Sequence, residues 1–181
     1  MHVRAATSRD LDELVALARR SFFDAYSETD DHEVIEGYCA RAFTSERFES
    51  ILADLRATLL IARDAESGAL AGYAHVGDSH PPECVVGPRP IELARLYLAR
   101  EWIGRGVGSI LMREAVQAAR QLGGRTLWLG VYERNPRAMA FYGRFGMKVV
   151  GTKPWEWGGE VFQDPVLECA IDAPSGDRLT P

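Results

Sequence analysis

Hydrophobic and polar positions change rhythm near the middle of this 181-residue chain. In the first half, a strand is predicted around Val3 to Ala6. A helix follows from about Arg9 to Arg20, with Leu11, Leu14, Val15 and Ala18 as its apolar stripe. Thr7 stands three residues before Asp10, a variant of the capping box that opens a helix. Two more helical stretches, near His32 to Ala40 and Glu46 to Leu55, precede Thr58 to Arg63 and Ala69 to Val76. The turn-like Ala65-Glu66-Ser67-Gly68 joins the last two runs into an antiparallel hairpin. Pro81, Pro82, Pro88 and Pro90 make the span from His80 to Pro90 an extended loop, expected to border the site.

The second half reads strand, helix, strand, helix: residues 91–99, 106–122, the apolar run Thr126 to Val131, and a helix from Asn135. A strand, helix and strand without a tight turn form a parallel crossover. The first of these helices places Val107, Ile110, Leu111, Ala115, Ala118, Ala119 and Leu122 on one face, with Arg113, Glu114, Gln117, Arg120 and Gln121 outward. The second has Asn135 as N-cap, Pro136 at its first position and Gly146 after its end, with Ala138, Phe141, Tyr142 and Phe145 as its stripe. Lys148 to Trp157 and Val161 to Ala170 form a closing hairpin around Gly158-Gly159. The expected architecture is α/β of the α+β kind, a mixed and mostly antiparallel sheet with one parallel crossover and flanking helices. Residues 1–171 are expected to form one domain and 172–181 a frayed tail.

Composition narrows the function classes. With 46% hydrophobic and 26% charged residues, the chain has ordinary globular composition and enough length for a real core. A formal net charge of -5 disfavours nucleic acid as a partner. Its N-terminus lacks the apolar core of a signal peptide and no run approaches a membrane span, so a cytoplasmic protein without a membrane partner is expected. Cys39, Cys84 and Cys169 are too widely spaced for a disulfide framework or a zinc site, and no metal is expected.

The chemistry centres on Ile103-Gly104-Arg105-Gly106-Val107-Gly108, between a strand and a helix. Glycines there let backbone N–H groups converge on an anion, and the helix adds free N–H groups and its positive dipole end. A dinucleotide fingerprint fails because the third glycine arrives one residue early, with Ser109 where it belongs, and no Asp or Glu occurs between Ala115 and Tyr132. A nucleoside-triphosphate loop fails because the chain has no Gly-Lys pair.

The glycine loop, followed by Asn135-Pro136-Arg137-Ala138-Met139-Ala140-Phe141-Tyr142-Gly143-Arg144-Phe145-Gly146-Met147, resembles the GNAT superfamily of acyl-CoA-dependent N-acetyltransferases. The resemblance is strongest over residues 91–151 and extends from Val3 to Ala170. It departs at Ile103, where the family usually has Gln or Arg, and at Met147, where it usually has Phe. Ser21-Phe22-Phe23, Tyr38 to Phe43, Leu96-Tyr97-Leu98, Leu129 to Glu133 and Gly151 to Asp164 resemble more narrowly the bacterial spermidine/spermine branch.

The resemblance implies acetyl-CoA as cosubstrate and a small amine, a polyamine such as spermidine or spermine, as acceptor. A protein N-terminal acetyltransferase and a non-catalytic acyl-CoA sensor are the alternatives. Gly104, Arg105, Gly106, Val107, Gly108 and Ser109, after Ile103, are implied to contact pyrophosphate. Asn135, Ala138 and the strand Leu96, Tyr97 and Leu98 are implied for pantetheine, with Arg137 and Arg144 as candidates for the phosphates.

Tyr142 matches the family's general acid, which a phenol with a pKa near ~10 can be; it equally suits the core stripe. Glu92, eleven residues before Ile103, matches a general-base position, and an ammonium of pKa ~10.4 needs such a base; a solvated strand-end glutamate fits the position as well. The acidic run of Asp24, Glu28, Asp30, Asp31, Glu33 and Glu36 suits a polycation or a solvated helix. Trp155, Trp157 and Phe162 are candidates for an amine tunnel, a homodimer contact or cross-strand packing.

Overall fold

The computed structural model describes residues 1–171. The predicted frayed tail, 172–181, lies outside the described residues. In chain order the elements are β1 (His2–Ala5), α1 (Leu11–Tyr26), α2 (His32–Ala42), α3 (Ser45–Ala53), β2 (Ala57–Arg63), β3 (Leu70–Gly77), β4 (Pro90–Leu98), α4 (Val107–Gln121), β5 (Thr126–Gly130), α5 (Pro136–Gly143), β6 (Lys148–Trp157) and β7 (Glu160–Ala170). Short 3₁₀ turns at Ser8–Asp10 and Arg100–Trp102 precede α1 and α4. Seven strands form one sheet in the order β1-β2-β3-β4-β5-β7-β6, with β4 and β5 parallel. This is the mixed sheet with a central crossover that the sequence predicts.

Backbone contacts gather into two compact units, one of Met1–Val76 with Ala94–Ala115, the other of Gly77–Leu93 with Val116 onward. In the first unit, β1 runs antiparallel to β2, pairing Val3 with Ala62, and Leu59 to Ala62 are buried. Helix α1 ends six residues beyond the sequence reading. Its stripe continues past Arg20 through Ser21, Phe22 and Tyr26, all buried, and Phe22 and Tyr26 extend the four-residue spacing of Leu14 and Ala18. Asp10 accepts hydrogen bonds from the Thr7 N–H (2.9 Å) and hydroxyl (3.0 Å), as the Thr7/Asp10 spacing implies. Asp31 and Thr44 cap α2 and α3 by accepting from the Glu33 and Arg47 N–H groups.

An ion cluster ties the two ends of this unit's early chain. Arg4 donates to both oxygens of Asp10 (2.8 and 2.7 Å), and Arg63 donates to Asp10 (3.1 Å) and Glu13 (2.6 Å). Above the sheet, Phe22 packs against Tyr26, Tyr38, Phe43 and Tyr97, and Tyr97 stacks on Tyr73. Each such ring is worth roughly 1.5–3 kcal/mol on burial, so this cluster is the unit's main apolar anchor.

In the second unit, Pro90 opens β4, the strand position where a missing N–H costs least. Ile91 pairs with Leu127 in the parallel register, and β5 pairs antiparallel with β7. The β6–β7 hairpin turns on Gly158 (φ 59°) and Gly159 (φ 83°), the two positive values that a tight hairpin turn requires. A bulge at Val149/Gly151 shifts the register.

Candidate active site

The glycine loop belongs to the first unit, and its geometry is backbone geometry. Gly104 and Gly106 both have φ of 82°, a left-handed conformation that side chains rarely tolerate. A Cβ placed at either would meet nothing within 4 Å, so glycine is required there by conformation and not by packing. Gly108 differs: it is buried within the first turn of α4 and has no positive φ. The Gly106 carbonyl accepts from the N–H groups of Ser109 (3.1 Å) and Ile110 (3.2 Å), so the helical ladder starts there. The Val107 and Gly108 N–H groups precede that ladder and point out of the helix N-terminus. Two glycines that leave open space, next to free N–H groups and a positive dipole end, fit a phosphate.

Side chains contribute little to this loop. Ile103 is exposed, and Arg105 is exposed with its guanidinium 5.4 Å from the Trp102 ring centroid. Val107 is buried in the stripe of α4 and Ser109 is half-buried. On the same unit's part of β4, Leu96, Tyr97 and Leu98 are half-buried. Gly72 of β3 lies so close that a Cβ there would stand 2.7 Å from the Tyr97 carbonyl oxygen and would strike the Leu98 side chain. The Tyr97 phenol, buried among aromatics and hydrogen-bonded by Tyr26, is pushed up to about 12. It therefore stays neutral at any physiological pH.

The second unit carries Glu92, Asn135, Arg137, Ala138, Tyr142 and Arg144. Glu92 is half-buried opposite Trp128 in the β4–β5 register. Asn135 caps α5 by accepting the Ala138 N–H at 2.9 Å, with Pro136 at the first helical position. Tyr142 is half-buried and lies edge-on to Phe141, with ring centroids 5.1 Å apart. The stripe of α5 has the expected members: Ala138, Phe141, Tyr142 and Phe145 are half-buried, whereas Arg137, Ala140, Gly143 and Arg144 are exposed. Arg144 rests 5.6 Å from the Phe141 centroid.

The acidic run of the first unit is mostly exposed and partly occupied. Asp31 caps α2, Asp30 accepts from the Thr29 hydroxyl (2.5 Å), and Glu28 lies 3.8 Å from Arg100. In the second unit, the aromatic trio at the closing hairpin receives a different partner from those the sequence offers. Tyr132 meets Trp155 and Phe162 edge-on, at 5.6 and 5.3 Å, and Trp157 and Phe162 are buried. Trp155 and Phe162 are opposite one another across the strands and both meet the loop residue Tyr132, while Trp157 lies beside Trp155 on its own strand. Nothing in the spacing of Tyr132 announced this contact. Among the described residues, no helix is long and apolar enough to cross a membrane, and no group of three or more His, Cys, Asp or Glu could hold a metal ion.

A protein-family model described as the acetyltransferase (GNAT) family matches residues 11–147, a span that includes both the glycine loop and α5. The chain belongs to this family. It is 34% identical over 160 residues to an uncharacterised N-acetyltransferase of Mycobacterium tuberculosis strain H37Rv, covering 87% of this chain and 96% of that relative. It is 26% identical over 152 residues to the spermidine N(1)-acetyltransferase of Thermoplasma acidophilum, covering 84% and 91%. The crystal structure of the PaiA N-acetyltransferase of Thermoplasma acidophilum in complex with coenzyme A shares the fold. Its TM-score is 0.77 at 24% identity, covering 93% of this chain and 98% of that one. The protein is therefore a GNAT enzyme, an acetyl-CoA-dependent N-acetyltransferase.

Proposed function

We propose that this GNAT enzyme, a single domain over residues 1–171 working in the cytoplasm, transfers acetyl from acetyl-CoA to the primary amine of a small polyamine by direct attack. The observation that carries the cosubstrate half of this reading is the Gly104/Gly106 geometry, two left-handed glycines facing open space before an α-helix. Main-chain N–H groups from Gly104 to Ser109 would hold the pyrophosphate, with charge from Arg105. The β4 backbone at Leu96 to Leu98, with Asn135 and Ala138, would hold pantetheine, and Arg137 and Arg144 would reach toward phosphate.

Glu92 accepts the ammonium proton, directly or through water, so that the amine can attack. A β4 main-chain N–H donates to the carbonyl oxygen as it gains charge. Tyr142 then donates its phenolic proton to the departing thiolate. The atoms balance: a C–N bond forms and a C–S bond breaks, two protons leave the ammonium nitrogen, the first to Glu92 before attack and the second to water or the Tyr142 phenolate as the tetrahedral adduct collapses, and the Tyr142 proton reaches the sulfur. The polyamine acceptor is supported by the spermidine relative and by the acidic run from Asp24 to Glu36.

Thiol release from acetyl-CoA, measured against spermidine, spermine, simple alkylamines and N-terminal peptides, tests this reading. We expect release with polyamines and a fall in kcat on the order of 10²-fold in Tyr142→Phe. Release with peptides alone would give the enzyme to the N-terminal class, and tight CoA binding without release for any acceptor would make it a sensor.

A further inference from the structure

The stretch between β5 and α5 is latched to the closing hairpin along its whole length, within one unit. The Val131 N–H donates to the Pro165 carbonyl at 2.9 Å. The Glu133 N–H donates to Oδ1 of Asp164 at 3.1 Å, and Oε2 of Glu133 in turn accepts the Gln163 N–H at 2.9 Å. Tyr132 lies edge-on to Trp155 and Phe162, and the Arg134 guanidinium sits 4.7 Å from the Phe162 centroid and 3.8 Å from Glu160. The next residue is Asn135, the α5 cap.

Asp164 is the unexpected member of this set. Among the described residues it is one of four buried polar or charged ones, with 5% exposure, and the mechanism above does not use it. Burial pushes its carboxyl up to about 6, against the opposing pull of the Glu133 N–H and the Lys153 ammonium. The charged groups facing it are Lys153, its register partner on β6, and Glu133. A carboxylate kept in so unfavourable a place costs stability, and such costs persist where a side chain fixes a functional geometry.

We propose that Asp164 and Glu133 are positioning residues that form a reciprocal clasp, each side chain accepting an N–H from the other's strand or loop, and that this clasp sets the placement of Asn135 and Tyr142 on α5. The clasp rests on the reading of Asn135 and Tyr142 as site residues. Neither clasp residue touches the reacting atoms. They act by holding the entrance to α5 at a fixed distance from β7, and small misplacements at a reacting centre are costly.

Backbone amide NMR of the full chain, titrated from pH 5 to pH 8, reads the clasp without any acetyl transfer. We expect the Glu133 amide to titrate with a midpoint of about 6, and the amides of Ala138 and Tyr142 to follow it. Asp164→Asn, which keeps the shape and an acceptor oxygen, should abolish all three titrations. In steady-state assays, Asp164→Ala and Glu133→Ala should lower kcat on the order of tenfold through Tyr142 and raise the KM for acetyl-CoA a few-fold, on the order of 3-fold, through Asn135, and Asp164→Asn and Glu133→Gln should retain most of kcat. If Glu133 titrates while Ala138 and Tyr142 stay still, or if the alanine variants keep wild-type kcat, the clasp does not position α5. If the amides titrate together in an enzyme that acetylates no amine, the clasp stands and the proposed function falls.

Discussion

The loop before α4 and the loop before α5 both deliver a helix N-terminus to a candidate site, yet they are built from opposite materials. Before α4, shape comes from the backbone alone: Gly104 and Gly106 take left-handed angles, a Cβ at either would touch nothing, and the neighbouring side chains Ile103 and Arg105 are exposed. Before α5, shape comes from side chains: Asn135 caps the helix, and Tyr132, Glu133 and Arg134 each grip the closing hairpin. A backbone loop suits an anion, which asks only for N–H groups and no particular side chain. A side-chain-latched loop suits proton transfer, where a single group such as Tyr142 must be held in one position.

Breaking the first loop should have the largest effect. Gly106→Asp places a carboxylate and a strained φ at the proposed phosphate site. It should weaken CoA binding by roughly 100-fold or more, measured by calorimetry, and lower Tm by only a few degrees through the strained φ. Unchanged affinity would refute the cofactor site and the contrast with it.

The two units should also answer acid with opposite signs. In the first, the Arg4 and Arg63 guanidiniums hold the Asp10 carboxyl well below the usual carboxylate range, and burial beside Arg95 lowers His75 to about 4. Both folded values lie below their unfolded ones, so the stability they supply is complete at neutral pH. It drains as pH falls, first from about 6.5 through His75 and then below about 4 through Asp10. In the second unit, Asp164 is raised to about 6, so its contribution runs the other way, and stability declines as pH rises from about 4 to about 6. Hydrogen exchange at pH 5 and pH 7 should show β3 amides around His75 better protected at pH 7 and β7 amides around Asp164 better protected at pH 5. Removing the Asp10 hub with Asp10→Ala should cost about 2 kcal/mol at pH 7, a difference that starts to shrink only below about pH 4 and is still largely present at pH 3, because the folded-state carboxyl stays ionised there. A pH-independent cost would mean that packing and not charge holds β1 to α1.

The smallest effect should come from the α5 cap. Asn135→Ala removes one side-chain acceptor and should cost about 1 kcal/mol in global stability, read by urea unfolding. A kcat loss larger than that figure accounts for would mark Asn135 as more than a cap.

What was legible in the sequence follows the same division. The glycine loop, the α4 stripe, the Asn135-Pro136 helix start and the Gly158-Gly159 turn are local patterns, each enforced within a few residues, and all were readable. The end of α1 lies beyond Arg20 because Phe22 and Tyr26 prolong the helical stripe past two charged residues, Arg19 and Arg20. The partners of Trp155 and Phe162, and the clasp between Glu133 and Asp164, depend on contacts between residues about 30 positions apart, which no local spacing encodes. The acidic run was legible as charge but not as caps, since Asp31 becomes an N-cap only once α2 begins beside it.

The division into two units has a consequence for anyone wishing to cut or rewire this chain. The first unit takes Met1–Val76 and then Ala94–Ala115, the second Gly77–Leu93 and then Val116 onward, so the polypeptide changes unit three times, once within β4 and once within α4. No contiguous fragment therefore contains either unit whole. A truncation after Val76 strips the first unit of Tyr97 and of the glycine loop, and a start at Val116 strips the second of Ile91 and Glu92. The proposed cosubstrate loop and the proposed proton-transfer residues are thus inherited, expressed and lost together, and a tolerant site for insertion is to be sought in the exposed turns at Glu66-Ser67 or Gly158-Gly159, never at the boundary between the units.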